Sequence, residues 1–392
     1  MPHDVDELRQ RVDELERELR AQRDEAERGW GSYHDLRRRR IVRAALAAAR
    51  VRELAARRLV GRVRKRVPVT AQSSEAAPAE ATPPADSATA PAGAAAAAVT
   101  AGDELAHAGD DEVAHVWPLG HFYSPVPDTR ELAREPARSR VWPCEPREIV
   151  GIDWREEEQL ALLRNLQSQD VLTLPSEPSD DPTVYHTANP NFSHLDAWTL
   201  QAMLRHFQPR RVIEVGCGWS SLVTARVNRE CLDLAVDVTC IEPYPPEFLS
   251  ERSIPGMSRL VVSPVQEVPL ERFLELDADD VLFIDTAHVI KTGGDVQFLF
   301  HEVVPRLRPG VIVHVHDIFL PWDYPQEWVL GGRAWNEQYL LRSFLSFNDA
   351  FEVLFGVAWM THHHREALVA GLPGGEAAMR DGGGSFWMRR RR

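Results

Sequence analysis

The chain has 392 residues, 44% of them hydrophobic and 27% charged, which is enough for one large core with accessory segments around it. Its net charge of -14 is unevenly spread: residues 1–66 carry 19 Lys/Arg against 12 Asp/Glu, leaving 26 against 47 for the rest. So acidic a body excludes bulk binding of nucleic acid. The cysteines at 144, 217, 231 and 240 have neither paired metal-ligand spacing nor the density of a secreted disulfide scaffold, and no stretch reaches the roughly 18 apolar residues of a membrane span. With an acidic rather than a basic-then-apolar start, the expectation is a cytoplasmic protein, with peripheral contact at the inner membrane face left open.

Val5, Leu8, Val12, Leu15 and Leu19 recur at alternating spacings of three and four between charged residues, so residues 1–30 read as a short coiled coil able to set a homo-oligomer, or as a solvated single helix. Residues 31–67 read as a basic helix. From Arg37 to Arg66 there are 13 basic residues and one acidic residue, Glu53, a pattern suited to anionic lipid, to an acidic partner or to solvent. Residues 68–103 are almost wholly Ala, Pro, Ser and Thr, with too little apolar surface to offset the entropy of ordering, and read as a disordered linker.

Beyond residue 104 the pattern changes. Residues 104–175 are expected to form an N-terminal cap on a catalytic domain spanning 176–392. There, β-branched runs ("RVIEVG", "VTCIEP", "RLVVSP", "DVLFID", "GVIVHVHD", "FEVLFGVAWM") alternate with helix-length amphipathic stretches, the signature of an α/β fold with a doubly wound, mostly parallel sheet. The last run, "SFWMRR", is expected to close the sheet as an antiparallel hairpin with "FEVLFGVAWM".

"RVIEVGCGWSS" is a strand entering a glycine turn and then a helix opening at Ser220 or Ser221. Gly216 and Gly218 let the backbone approach a ligand, and the helix start offers free N–H groups, an arrangement shared by NAD and S-adenosylmethionine (SAM) proteins. Two details favour SAM. Ser221 replaces the third glycine of the dinucleotide motif, and the charge of Glu214 opposes a pyrophosphate but suits an ammonium and a sulfonium. Glu242, 24 residues past Gly218 at the end of the next strand, is placed to accept hydrogen bonds from ribose hydroxyls.

"EVGCGWSS" followed by "CIEP" resembles the first two motifs of the class I SAM-dependent methyltransferases, and the likeness extends over residues 176–392. It implies a Rossmann-like fold with SAM held by Glu214, Gly216, Cys217, Gly218, Ser220, Glu242 and Asp285, and with Gln266 near the adenine. Asp285 ends the strand "DVLFID", and Asp317 follows 32 residues later at the end of "GVIVHVHD". If these strands are neighbours, the two carboxylates come together and call for a divalent metal or a retained proton. This resembles the metal-dependent O-methyltransferases of the catechol and macrolide-sugar types. The likeness implies a metal set of Asp285, His316 and Asp317; His316 stands where an acidic residue is expected, which favours manganese, iron or zinc over magnesium. His288 matches the general base of those enzymes, with Lys291 in reserve. His314, one level deeper than His316, reads as a core histidine, and His362–His364 as a loop at the catalytic edge.

Trp322, Tyr324, Trp328 and Trp335, among prolines and glycines after Asp317, are placed to cover a sugar or aryl ring. The same segment resembles bacterial methyltransferases associated with glycan genes, which implies a glycan or small-molecule hydroxyl as acceptor. Two other readings are a metal-dependent oxygenase using these histidines and aspartates around iron, and a non-catalytic SAM-binding scaffold.

Overall fold

The computed structural model describes residues 119–250 and 252–392. The expected coiled coil (1–30), basic helix (31–67), linker (68–103) and first part of the cap (104–118) lie outside the described residues. No helix among the described residues is long and apolar enough to cross a membrane.

The chain order of the main elements is α1 (Glu156–Gln167), α2 (His194–Phe207), β1 (Arg211–Val215), α3 (Trp219–Cys231), β2 (Asp237–Ile241), β3 (Arg259–Val261), β4 (Val281–Ile284), α4 (Asp295–Phe298), β5 (Ile312–Val315), α5 (Gln326–Leu330), α6 (Glu337–Leu345), β6 (Phe351–Gly356), α7 (Val357–His363) and β7 (Phe386–Arg390). The seven strands form one sheet in the order β3-β2-β1-β4-β5-β7-β6. The first five pair in parallel, and β7 runs antiparallel between β5 and β6. This is the doubly wound α/β fold with a reversed terminal strand that the sequence predicts.

Every residue of β4 and β5 is buried, as expected of central strands covered on both faces, and their near-continuous apolar runs follow from that. One face packs Val281, Phe283 and Ile312 with α2 and Trp387; the other packs Leu282, Ile284, Val313 and Val315 with the segment that α4 begins. His314 lies on the first face, fully buried, with its ring 3.9 Å from Phe283 and 4.6 Å from Trp387. Neither of its nitrogens has a hydrogen-bond partner, and burial together with the neighbouring His316 keeps it well below the usual histidine range. It is the core histidine expected from the sequence.

Two local expectations change. The run "FEVLFGVAWM" is a strand only as far as Gly356, and Val357–His363 form α7. An apolar run buried throughout has no period that separates strand from helix, and pairing stops where the Val357 N–H donates to the Ser385 carbonyl. His362 and His363 therefore end a helix rather than occupy a loop; His362 stacks edge-on to Trp322, and His364 lies 2.9 Å from Glu156. The "SFWMRR" strand pairs with β6 as expected, but it also pairs with β5 along its other edge.

The entry to β7 is held by Asp196 of α2. Its carboxylate accepts the Ser193 hydroxyl (2.8 Å) and the backbone N–H groups of Gly384 (3.2 Å) and Ser385 (2.9 Å), while the Ser193 hydroxyl in turn accepts the Asp196 N–H and caps the helix. Burial pushes the Asp196 carboxyl upward, but His316, Ser385 and Ser193 outweigh it and leave it below the usual carboxylate range. A carboxyl with a lowered folded-state pKa contributes stability that is present above its unfolded value, about 4, and lost as the pH falls below it. Asp196→Ala should therefore lower stability by about 3 kcal/mol at pH 7, because it strands two buried N–H groups, and the deficit should shrink below about pH 4. Urea unfolding of both chains across that range reads this directly, and a pH-independent deficit would contradict the ionised anchor.

Candidate active site

The glycine turn lies between the carboxyl ends of β1 and β4. Gly216 has φ +84°, and a Cβ there would come within 1.6 Å of the Asp285 carbonyl oxygen, so the position requires glycine. Its N–H donates to the Ile241 carbonyl, and the Asp285 N–H donates to the Val215 carbonyl, so the turn is fastened to both neighbouring strands. Gly218 is different: nothing lies within 4 Å of where its Cβ would stand, so the turn is open on that side.

Glu214 is fully buried and faces the first turn of α3, where the hydroxyls of Ser220 (2.5 Å) and Ser221 (2.9 Å) donate to its Oε1. Its Oε2 has no partner. Burial pushes this carboxyl up to about 7 despite the two serines. Glu242, half-buried, accepts from the Cys217 N–H (3.3 Å) and the Tyr244 N–H (2.8 Å), which orients its carboxylate over the turn; burial raises it as well. The Cys217 thiol points inward at the carbonyls of Glu214 and Ile241, so this residue presents its backbone, not its sulfur, to the turn. Gln266 is exposed and donates to the Gly293 carbonyl at 2.9 Å. An orphaned acidic oxygen, an open glycine and a second carboxylate over the turn are the kinds of group that fit SAM, Glu214 as an acceptor suited to an ammonium and Glu242 as one suited to ribose hydroxyls.

On the adjacent edge, β4 and β5 are neighbours with Ile284 opposite Val315, so Asp285, His316 and Asp317 emerge together. His288 closes the group. Its Nε2 lies 3.2 Å from Asp285 Oδ1 and 3.5 Å from Asp317 Oδ2, and its Nδ1 lies 2.9 Å from Glu337 Oε2. His316 Nδ1 lies 3.5 Å from Asp285 Oδ1 and 3.7 Å from Asp317 Oδ1, and its Nε2 is 3.4 Å from Asp196, a charge contact without a directed hydrogen bond. Both His288 and Asp317 have left-handed backbones, with φ +56° and +55°. Strain of this kind persists only where the surroundings impose it.

The electrostatics follow from the arrangement. Burial would raise Asp285, but the rings of His316 and His288 hold it well below the carboxylate range. Asp317 is raised, by burial first and then by the charge of Asp285 beside it. Burial would lower both histidines, yet the carboxylates overcome it: His316 is raised well above the usual range, Asp285 and Asp317 being the main cause, and His288 is pushed up to about 10 by Asp285, Glu337 and Asp317. The ligand atoms of Asp285, His288 and Asp317 all lie within 4.8 Å of one another, a spacing and donor set that suit a divalent cation.

The structure thus gathers Asp285, His288, His316 and Asp317, four of the residues singled out in the sequence. Lys291 is exposed and no ion pair joins it to the group. Two members were not singled out in the sequence. Asp196 lies on the buried face of α2, where only the Ser193-x-x-Asp196 capping pattern marks it. Glu337 begins α6 and reads in the sequence as an ordinary first-turn acid. The aromatic segment after Asp317 borders the cluster: Trp335 lies 4.4 Å from the His288 ring, and the Arg333 guanidinium lies over Trp328 (4.2 Å) and Trp335 (4.9 Å).

A methyltransferase-domain family model matches residues 213–318, a span that contains the glycine turn, Glu242 and both aspartates of the cluster. An uncharacterised protein of Archaeoglobus fulgidus is 34% identical over 172 residues, 43% of this chain and 77% of that protein. Among solved structures, a Klebsiella pneumoniae protein described as an O-methyltransferase overlaps 65% of this chain and 96% of its own, with 12% identity and a TM-score of 0.31. The Bacillus cereus O-methyltransferase in complex with SAH covers 65% and 96% likewise, with 13% identity and a TM-score of 0.29. Over residues 213–318 the chain carries the methyltransferase domain that this family model describes.

Gly216→Ala tests the cofactor turn. The added methyl meets a backbone oxygen that cannot move without shifting the ends of β1 and β4, so the variant should lose about 3 kcal/mol or more of stability and its binding of S-adenosylhomocysteine (SAH). Urea unfolding and calorimetric titration with SAH measure the two losses. A stable variant that still binds SAH would refute the placement of the cofactor on this turn.

Proposed function

We propose that the protein transfers the methyl group of SAM to a hydroxyl oxygen, on a glycan or a glycosylated small molecule, at the Asp285–Asp317 cluster. The observation that carries this reading is the convergence of two carboxylates and the His288 ring beside the SAM turn. A methyl donor alone needs no such cluster; an alcohol that must lose its proton does.

The chain's own groups divide the work. Asp285 and Asp317 are the oxygen donors suited to a divalent cation; the nitrogen that shares their 4.8 Å group belongs to His288, and His316 Nδ1 lies 3.5 and 3.7 Å from the same two carboxylates. A divalent cation bound there would supply positive charge that eases ionisation of a hydroxyl. His288, once it has shed its own Nε2 proton, takes the hydroxyl proton on that nitrogen as the hydroxyl oxygen forms its bond to the methyl carbon. The carbon–sulfur bond breaks with its electron pair going to sulfur, which leaves SAH. Alignment of oxygen, carbon and sulfur accounts for most of the acceleration, and the proton acceptor for a further share.

The acceptor class rests on the rim. Trp322, Trp328 and Trp335 are half-buried after β5, with the Arg333 guanidinium over Trp328 and Trp335, and aromatic rings beside a hydrogen-bond donor suit a hydroxyl-bearing sugar ring.

The test uses the full chain with SAM carrying a labelled methyl group and a panel of diols, glycosides and oligosaccharides, in the presence of magnesium or manganese. Label that enters the acceptor as a base-stable methyl ether supports the reading; label released by mild base as methanol marks an ester and overturns it. His288→Asn should lower the rate by about 10²–10⁴-fold with SAH binding intact. A variant with undiminished transfer would remove His288 from the proton-accepting role.

A further inference from the structure

The transfer reading leaves one buried acid unused. Glu337 is fully enclosed at the first turn of α6, a nine-residue helix. A glutamate at that position is ordinarily exposed, where the helix dipole favours its charge without any partner. Here it lies instead against the far side of the His288 ring, with Oε2 2.9 Å from Nδ1 and with Oε1 partnerless.

The backbone reinforces that contact. The His288 carbonyl accepts two N–H groups, from Asn336 (3.0 Å) and from Glu337 itself (3.2 Å), and the Asn336 side chain accepts the Ile290 N–H at 2.7 Å. The start of α6 therefore grips the 288–290 loop by main chain and side chain together, at the residue whose backbone is left-handed. Trp335 closes over the ring at 4.4 Å. A ring confined in this way has two useful faces, one nitrogen toward Glu337 and the other toward the aspartates.

We infer that Glu337 is a positioning residue that holds a proton on Nδ1 of His288 and thereby aims Nε2 between Asp285 and Asp317. A carboxylate only accepts, so the nitrogen facing Glu337 must be the donor, and the opposite nitrogen is the one left to exchange a proton or meet a ligand. Carboxylate–histidine pairs that fix a ring in this way are how proteins hold an imidazole ready for its task. Without Glu337 the Nδ1–H would be buried and unpaired. The ring would then lose one of the contacts that fix it, and Nε2, 3.2 Å from Asp285 Oδ1, would no longer be aimed between the aspartates.

The inference takes its purpose from the transfer reading but stands on its own geometry, and its test needs neither an acceptor nor a metal. The full chain, labelled with ¹⁵N in its 15 histidines, is examined by long-range proton–nitrogen NMR, with the His288 signals identified by their loss in His288→Asn. The wild-type ring should show a protonated Nδ1 with a slowly exchanging, strongly downfield proton. Glu337→Gln, whose amide oxygen still accepts, should keep that proton but move it upfield, with SAH affinity unchanged. Glu337→Leu should abolish it. An unprotonated Nδ1 in the wild-type chain, or an Nδ1–H signal unchanged in Glu337→Leu, overturns the inference. The wild-type spectrum alone decides if the leucine variant does not fold. A protonated, Glu337-dependent Nδ1 upholds it even in a chain that fails to methylate any hydroxyl, and the reverse result overturns it even in one that succeeds.

Discussion

The parallel pairing of β4 with β5 is the constraint from which the site follows. With Ile284 opposite Val315, the chain has no choice about where Asp285 and His316 emerge, and the His316 N–H donating to the Ile284 carbonyl carries the ladder one step past the last strand residue. Asp317 then turns into a left-handed backbone, which brings its carboxylate back toward Asp285 instead of along the strand. That turn needs space, and Gly384 supplies it: a Cβ there would stand 2.9 Å from the Asp317 Cα. Gly384 is in turn fixed by its N–H to Asp196 and by its carbonyl, which accepts the Ile318 N–H. A strained conformation of this kind costs about 1–3 kcal/mol, so it is held by anchoring on several sides at once.

Charge is the second consequence. Four acids, Asp196, Asp285, Asp317 and Glu337, surround two imidazoles, His288 and His316, in a largely enclosed region. Like charges this close cannot all ionise freely, and they divide: Asp285 is driven down by the two rings while Asp317 and Glu337 are driven up by burial. The histidines divide as well. His316, facing acids on two sides, is driven toward its charged form, and His314, two residues earlier between Phe283 and Trp387, toward its neutral one. One strand face thus carries a neutral ring inside and a charged ring at the edge, which answers why so apolar a strand ends in polar residues.

The sequence disclosed the parts that are local. Alternating runs and helices gave the sheet, and a glycine turn between a strand and a helix needs only adjacent residues to be recognised. The pairing of Asp285 with Asp317 was legible too, because one strand–helix–strand unit has a fixed reach. What stayed hidden depended on contacts distant in sequence. Glu337 reaches His288 across 49 positions and Asp196 reaches Ser385 across 189, and neither carries a local sign of its partner. The helical end of "FEVLFGVAWM" was hidden for another reason, since a uniformly buried run has no periodicity to read.

Residues 213–318, the span matched by the methyltransferase model, contain the turn, Glu242 and the cluster itself. Asp196 precedes that span and Glu337 follows it, yet one holds His316 and the other His288. The matched span holds Asp285, His288, His316 and Asp317, and the elements packed around it contribute the acids on the far side of the two rings. The aromatic border at Trp328 and Trp335 likewise comes after the span, on the stretch that joins α5 to α6. The groups that contact the two rings from α2 and α6 therefore lie outside the matched span, while the β4–β5 pairing that gathers the cluster lies inside it.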